Sequence, residues 1–308
     1  MTIQDTTAVL LLAHGSPDSV EEIPEFLLQV TGGRPLPPQV ITEVQHRYGQ
    51  IGRSPLTRLT LQQGELLARA LTLPVYVGMR NWKPFIAEAV RSMSAEGIER
   101  AVVVCLAPQN SRTSVGLYRA ALAKSNPTFA FDFVESWHDH PLLIKAFAEK
   151  LRAGWPQARH EMGRRVPIIF TAHSVPQRTI AEGDPYENQA KETARLVAEQ
   201  SSLKAEDWTF AFQSQGMSGG AWLGPTVEET MLALKAAGHG GVFIQPVGFL
   251  CDHVEVLYDI DIGFRQLADK EGLRLWRAES LNDSPLLTAA LADLARARIA
   301  NLAAVRAP

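Results

Sequence analysis

Two nine-residue stretches of this 308-residue chain repeat one another: Val9-Leu-Leu-Leu-Ala-His14-Gly-Ser-Pro17 and Ile168-Ile-Phe-Thr-Ala-His173-Ser-Val-Pro176. Each is an apolar run followed by Ala-His, a small residue, one further residue and Pro. The histidines are 173 − 14 = 159 positions apart, about the length of one domain. Such a chain reads as two copies of one architecture, and the rest of the pattern gives its class. Ala8–Leu12, Pro74–Gly78, Ala101–Leu106 and Phe129–Val134 read as buried strands. Val166–Thr171, Trp208–Gln213, Gly241–Pro246 and Arg274–Trp276 answer them in order and spacing. The third strands of both sets end on Pro, in Ala107-Pro108 and Gln245-Pro246. Amphipathic stretches lie between them: Arg58–Ala70, Pro84–Ala95, Pro185–Glu199 and Val227–Ala236. Apolar strands alternating with helices call for a parallel sheet covered on both faces.

The predicted fold is therefore α/β, with two similar Rossmann-like domains, each a parallel sheet flanked by helices. Their strand C-termini would face an interdomain cleft, where ligands of open α/β sheets bind. The polar stretch Arg152–Arg165, with Pro156 and two glycines, reads as the crossing, giving domains 1–152 and 153–308. The final helix, Leu286–Ala304, is rich in Ala and Leu and could pack back on the first domain. With 46% hydrophobic residues the chain can bury a substantial core. Thirty basic residues against 33 acidic, with no basic block, argue against a nucleic-acid partner. No stretch approaches the ~20 apolar residues of a transmembrane segment. The start, Met1 to Thr7, lacks a basic n-region, so a cytoplasmic protein is expected. Cys105 and Cys251 lack CxxC spacing and read as buried, inert thiols.

His14 and His173 each follow a strand directly, where loops present side chains to a ligand. A lone histidine there would more often cap the next helix, but a matched pair favours function. In Ser174-Val175-Pro176 the proline stiffens the backbone beside His173. A second cluster, Asp252-His253-Val-Glu255-Val-Leu-Tyr258-Asp259-Ile-Asp261, follows another strand end. If a helix starts at Asp252, Glu255 and Asp259 lie four apart on one face, and like charges so placed call for a cation or a proton. The plainer reading makes Asp252 the helix cap, which we adopt for Asp252, and leaves Asp259 and Asp261 as solvated charges. For Glu255 a second capping role is weaker, because Val254, Val256 and Leu257 suggest a buried helix start. Gly183-Asp-Pro-Tyr186 reads as a helix entry with Pro in its first turn. The Gly216–Gly220 loop reads as an ordinary loop, since no GxGxxG or Walker pattern is present.

Taken together, these motifs resemble the ferrochelatases along nearly the whole chain. The resemblance is carried by Ala172-His173-Ser-Val-Pro176, Gly183-Asp-Pro-Tyr186, Gln213-Ser214, Trp222-Leu-Gly-Pro225, Val247-Gly-Phe249, Asp252-His-Val-Glu255 and Leu257-Tyr-Asp259. The Val247-Gly-Phe249 and Leu257-Tyr-Asp259 spellings are similar to those of the compact, soluble enzymes of monoderm bacteria, which typically act on coproporphyrin III rather than protoporphyrin IX. The resemblance implies that His173 and Glu255 are catalytic and, with Asp259, face ferrous iron. Insertion exchanges two pyrrole protons for Fe²⁺, and either an imidazole or a carboxylate can accept them. It further implies porphyrin contacts from His14, Arg47, Ser54, Tyr118 and Trp222, with Arg47, Ser54 and Tyr118 at the propionates. Iron is then a substrate; no tightly bound cofactor and no iron–sulfur cluster are expected, and the family expectation is a monomer.

Departures from the family pattern are informative. His14 stands where Tyr or Met is found, on the opposite side of the ring from His173, and could ligate product iron. Asn81 replaces a His of some relatives, Gly263 stands where a further acid would continue the Glu255–Asp259 ridge, and Arg34 is the one arginine of Thr31–Arg34. The rival readings are a chelatase for another tetrapyrrole or metal, such as sirohydrochlorin or cobalt, and a non-catalytic tetrapyrrole-binding protein.

Overall fold

The computed structural model describes residues 6–216 and 220–304. Two four-stranded parallel sheets organise it, each with helices on its faces. The first holds β1 (Thr7–Ala13), β2 (Val75–Met79), β3 (Arg100–Cys105) and β4 (Ala130–Val134) in the order β2-β1-β3-β4. The second holds β5 (Ile168–His173), β6 (Trp208–Gln213), β7 (Gly241–Pro246) and β8 (Arg274–Arg277) in the order β6-β5-β7-β8. The two orders are identical, as the nine-residue echo predicts. Parallel pairing starts at Thr7↔Arg100 in one sheet and Ile168↔Phe243 in the other. In each sheet the chain turns to one side after the first strand and to the other after the second, so the winding reverses beside β1 and β5. Ligands of open α/β sheets bind at such a reversal, outside the strand C-termini. His14 follows β1 and His173 ends β5.

Burial explains why the strands read as unbroken apolar runs. All of β1 is buried, and the buried β5 residues Ile168, Ile169, Phe170, Thr171 and Ala172 are each 0% exposed. One core packs Leu10, Leu12, Val103, Ile86, Met93 and Leu122; another packs Ile169, Val242, Ile244, Val256, Ile260 and Phe264. Cys105 and Cys251 are free and buried, and burial pushes both thiols up, Cys251 to about 12. Among the described residues no helix is long and apolar enough to cross a membrane.

The crossing differs from the sequence expectation of residue 152. Among the described residues, one compact unit takes the chain up to Pro108, Thr113–Trp137 and the stretch from Asn282 on; the other takes Gln109–Arg112 and His138–Leu281. Residues 152–162 lie inside one helix, Pro141–Met162. Its inward stripe is Ile144, Phe147, Leu151, Gly154 and Ala158, spaced three and four apart. Gly154 breaks the apolar reading because it lies against Phe243, whose Cζ would stand 3.0 Å from a Cβ there. The last helix, Pro285–Ala304, belongs to the first unit. It packs Leu287, Leu291 and Ala295 inward, and its Arg296 donates to the Ala70 carbonyl at 2.8 Å.

In the second unit Asp184 is a junction. Its carboxylate accepts from Tyr186 N (3.0 Å), Ser111 Oγ (3.1 Å) and Arg112 N (2.7 Å). That accounts for Gly183-Asp-Pro-Tyr186: the helix Tyr186–Gln200 starts just after Pro185, with Asp184 satisfying an N-terminal amide.

Candidate active site

His173 is the last residue of β5, and the turn after it fixes its ring. Ser174 is buried, with its Oγ donating to the Leu223 carbonyl at 2.9 Å. The His173 Nδ1–H donates to the Ser174 carbonyl, which leaves Nε2 facing outward. Tyr186 OH donates to the His173 carbonyl at 2.9 Å. Nε2 meets Glu255 Oε1 at 3.4 Å, while Glu255 Oε2 meets His253 Nε2 at the same distance. The carboxylate is thus bracketed by two imidazoles. His253 is held in turn by the Cys251 carbonyl at 3.0 Å and the Phe249 ring at 4.7 Å.

The environment sets the charges. Burial works against a charged His173, but the Glu255 charge and hydrogen bond, the Ser174 carbonyl and Asp259 outweigh it and hold the ring up at about 9. Burial also works against a charged Glu255, yet His173 and then His253 hold its carboxyl well below the usual carboxylate range. The pair is an imidazolium and a carboxylate, each about one-third exposed at the side chain. Solvent can therefore reach it.

Glu255 lies in the first turn of the short helix Val254–Leu257, and Asp259 opens a π-helical turn, Asp259–Phe264. Within that turn Gly263 N donates five residues back to Tyr258 O at 2.8 Å. π-turns of this kind recur at functional sites. The end of β6 holds both acids: Gln213 Nε2 donates to the Glu255 carbonyl at 2.7 Å, and Ser214 Oγ donates to the Asp259 carboxylate. Ser214 adopts φ 60°, a left-handed conformation that a non-glycine residue rarely takes. The Trp222 ring lies 6.4 Å from the His173 ring and is tilted 56° to it. It packs on Gly216, where a Cβ would stand 2.6 Å from the indole. The rest of that glycine loop, 217–219, lies outside the described residues.

Two readings of the acidic segment are corrected. Asp252 is not the helix cap, a position that His253 takes without a side-chain bond. Asp252 instead accepts from Ser280 Oγ at 2.7 Å. Asp261 is not merely solvated, because Arg277 grips both its oxygens at 2.8 Å. Neither partner could be read locally, since each lies at or beyond the end of a strand 16 or 28 residues on.

In the first unit His14 repeats the atomic pattern. Its Nδ1–H donates to the next carbonyl, Gly15 O, at 2.9 Å, so Nε2 again faces outward. There it meets the Asn81 amide at 2.9 Å instead of a carboxylate. Gly15 needs its φ of 84°, and a Cβ there would stand 2.9 Å from Trp82. The exposed His14 ring packs edge-on against Phe26 (5.9 Å), which also touches Tyr48 and Trp82. Of the remaining expected contacts, Arg47 pairs with Glu43 on the helix Pro38–Ile51, Ser54 is buried in the following turn, and Tyr118 is buried in the helix Val115–Lys124. The structure thus gathers His173, Glu255, Asp259 and Trp222 in one unit and spreads His14, Arg47, Ser54 and Tyr118 over two loops and two helices of the other. Sequence reading assigned no role to His253, Gln213 or Ser214, although all three stand inside quoted motifs.

Comparison with known proteins identifies the family. The chain matches the family model described as Ferrochelatase over residues 6–299. A ferrochelatase of Acidobacterium capsulatum is 57% identical over 322 residues, covering 99% of this chain and 98% of that protein. A coproporphyrin III ferrochelatase of Geobacillus sp. is 34% identical, covering 94% of this chain and 97% of that one. A sirohydrochlorin chelatase of Bacillus subtilis, solved with cobalt, superposes with a TM-score of 0.57 at 12% identity over 96% of each chain, which speaks to fold alone. Matched from strand β1 into its last helix, the chain belongs to the ferrochelatase family.

Proposed function

We propose that this chain inserts ferrous iron into a porphyrin at His173 and Glu255, with Asp259 beside them on the route of the metal. The observation that carries this is the 3.4 Å contact between His173 Nε2 and a Glu255 carboxylate already held ionised. Insertion releases two pyrrole protons for each Fe²⁺ taken up. The pair supplies a hard oxygen ligand that holds iron loosely and, once His173 gives up its proton, a base at the same point. Iron near Glu255 replaces the imidazolium as its partner; His173 then releases its proton to solvent and can accept the two pyrrole protons one at a time, passing each to solvent.

His14, Arg47, Ser54, Tyr118 and Trp222 contact the macrocycle in this reading, and the first carboxylate partners are Arg47 with the Ser54 and Tyr118 hydroxyls. Coproporphyrin III is the favoured substrate, supported by the name of the Geobacillus relative. Protoporphyrin IX is the second reading, favoured by Arg34 being the one arginine of Thr31–Arg34. Iron is substrate, no resident cofactor is assigned, and the enzyme acts as a cytoplasmic monomer.

The test supplies Fe²⁺ anaerobically with coproporphyrin III, protoporphyrin IX or sirohydrochlorin and follows metallation by absorbance. Wild type should metallate a porphyrin and leave sirohydrochlorin alone, and His173→Ala should lose about 10²- to 10⁴-fold in rate. A wild type that metallates none of them, or a His173→Ala as fast as wild type, ends this reading.

A further inference from the structure

Four acids crowd ten residues of the second unit: Asp252, Glu255, Asp259 and Asp261. Two of them, Glu255 and Asp259, are the carboxylates assigned to iron. The other two flank them in the chain and converge on one guanidinium at the end of β8. Arg277 Nε and Nη2 each lie 2.8 Å from the Asp261 oxygens, in a fork that lysine cannot reproduce. Its Nη1 donates to Ala278 O at 2.9 Å and lies 3.5 Å from Asp252 Oδ1. The Arg277 side chain is 13% exposed, so removing one partner leaves a largely buried charge uncompensated.

Helix geometry explains why one arginine can hold the ridge without touching its working face. Residues two apart on a helix point to roughly opposite sides. Asp259 therefore turns to Ser214 at the end of β6, and Asp261 turns to Arg277 at the end of β8. The π-turn that carries both is a rare conformation, found mostly as single-turn bulges. Arg265 also ties it to β8, donating to Asp261 O at 3.3 Å and Leu275 O at 3.2 Å.

Resting on the assignment of Glu255 and Asp259 to iron, we infer that Arg277 is a positioning residue for iron delivery. By clamping Asp252 and Asp261, it fixes where the two intervening carboxylates present their oxygens.

Arg277→Gln and Arg277→Lys test this, with Arg274→Gln as control. Arg274 starts the same strand, pairs with Glu161 at 2.8 Å and stacks on Trp276, but touches none of the four acids. In Arg277→Gln the Ile262 and Gly263 amides, both bonded to Tyr258 O, should exchange with solvent faster than in wild type. The KM for Fe²⁺ should rise about tenfold, as for other residues that orient metal ligands, while the porphyrin KM stays within about twofold. Arg277→Lys should fall between, and Arg274→Gln should change neither quantity. Faster exchange with an unchanged iron KM would make Arg277 a purely structural residue and overturn the inference, as would equal effects from Arg274→Gln. A wild type that metallates no porphyrin would overturn the functional reading itself and the role toward iron with it.

Discussion

At the scale of single residues, the histidine–carboxylate pair makes stability depend on pH in a defined window. The His173 value of about 9 lies above its ordinary 6.5, so its contribution is complete below 6.5 and fades as pH climbs through about 9. Glu255 works in the opposite sense: its carboxyl is depressed below 4.5, so its contribution is present above 4.5 and fades as pH falls towards the depressed value. Together they support the fold most between 4.5 and 6.5. Urea-unfolding midpoints should therefore fall from pH 6.5 to 9 in wild type, and Glu255→Gln should flatten that fall. A variant as steep as wild type would mean that the pair is not what titrates. His14 allows a different measurement. With Nδ1–H on the Gly15 carbonyl, a neutral His14 accepts the Asn81 amide proton on Nε2, the lone pair that would ligate iron. The absorption spectrum with product haem should lose a nitrogen axial ligand in His14→Ala and gain ligation strength in Asn81→Ala. Identical spectra in all three proteins would remove iron ligation from the role of His14.

At the scale of elements, the loop after β7 is built to lie flat against β5. Gly248 N is 3.4 Å from Thr171 O, and a Cβ on Gly248 would stand 2.7 Å from the Ala172 Cβ and 2.9 Å from its Cα. Those atoms are backbone or its first carbon, so they cannot swing aside. Gly248→Ala should destabilise the fold by about 1–3 kcal/mol, read by urea unfolding, and slow metallation by moving His173. A stable variant with wild-type rate would show that the strand end yields without consequence. The glycine of Val247-Gly-Phe249 is thus a packing requirement beneath the site, while Phe249 supports His253 from above it.

At the scale of the whole molecule, the last helix returns to the unit that begins the chain. Leu291 is 1% exposed there, and Leu291→Ala should cost about 2–5 kcal/mol. Hydrogen exchange should locate that loss in β1 and β3, with β5 and β7 keeping wild-type protection. Loss of protection in β5 and β7 to the same degree would mean that the units unfold as one.

The nine-residue echo and the eight apolar strands determined the doubled α/β fold, and the resemblance carried by the motifs implied the pairing of His173 with Glu255. Those features are legible because strand burial and strand-end placement are local: a run such as Ile168–Ala172 carries its own pattern. Three things needed the tertiary structure. The crossing near Trp137 was hidden because Gly154, in the inward stripe of a long helix, is small to admit Phe243. The partner of Asp261 was hidden because Arg277 comes from another strand, and no spacing rule links a helix acid to a strand-end base. The proton on His173 was hidden because it reflects several charges and carbonyls weighed against burial, a balance that exists only once the chain has folded around it.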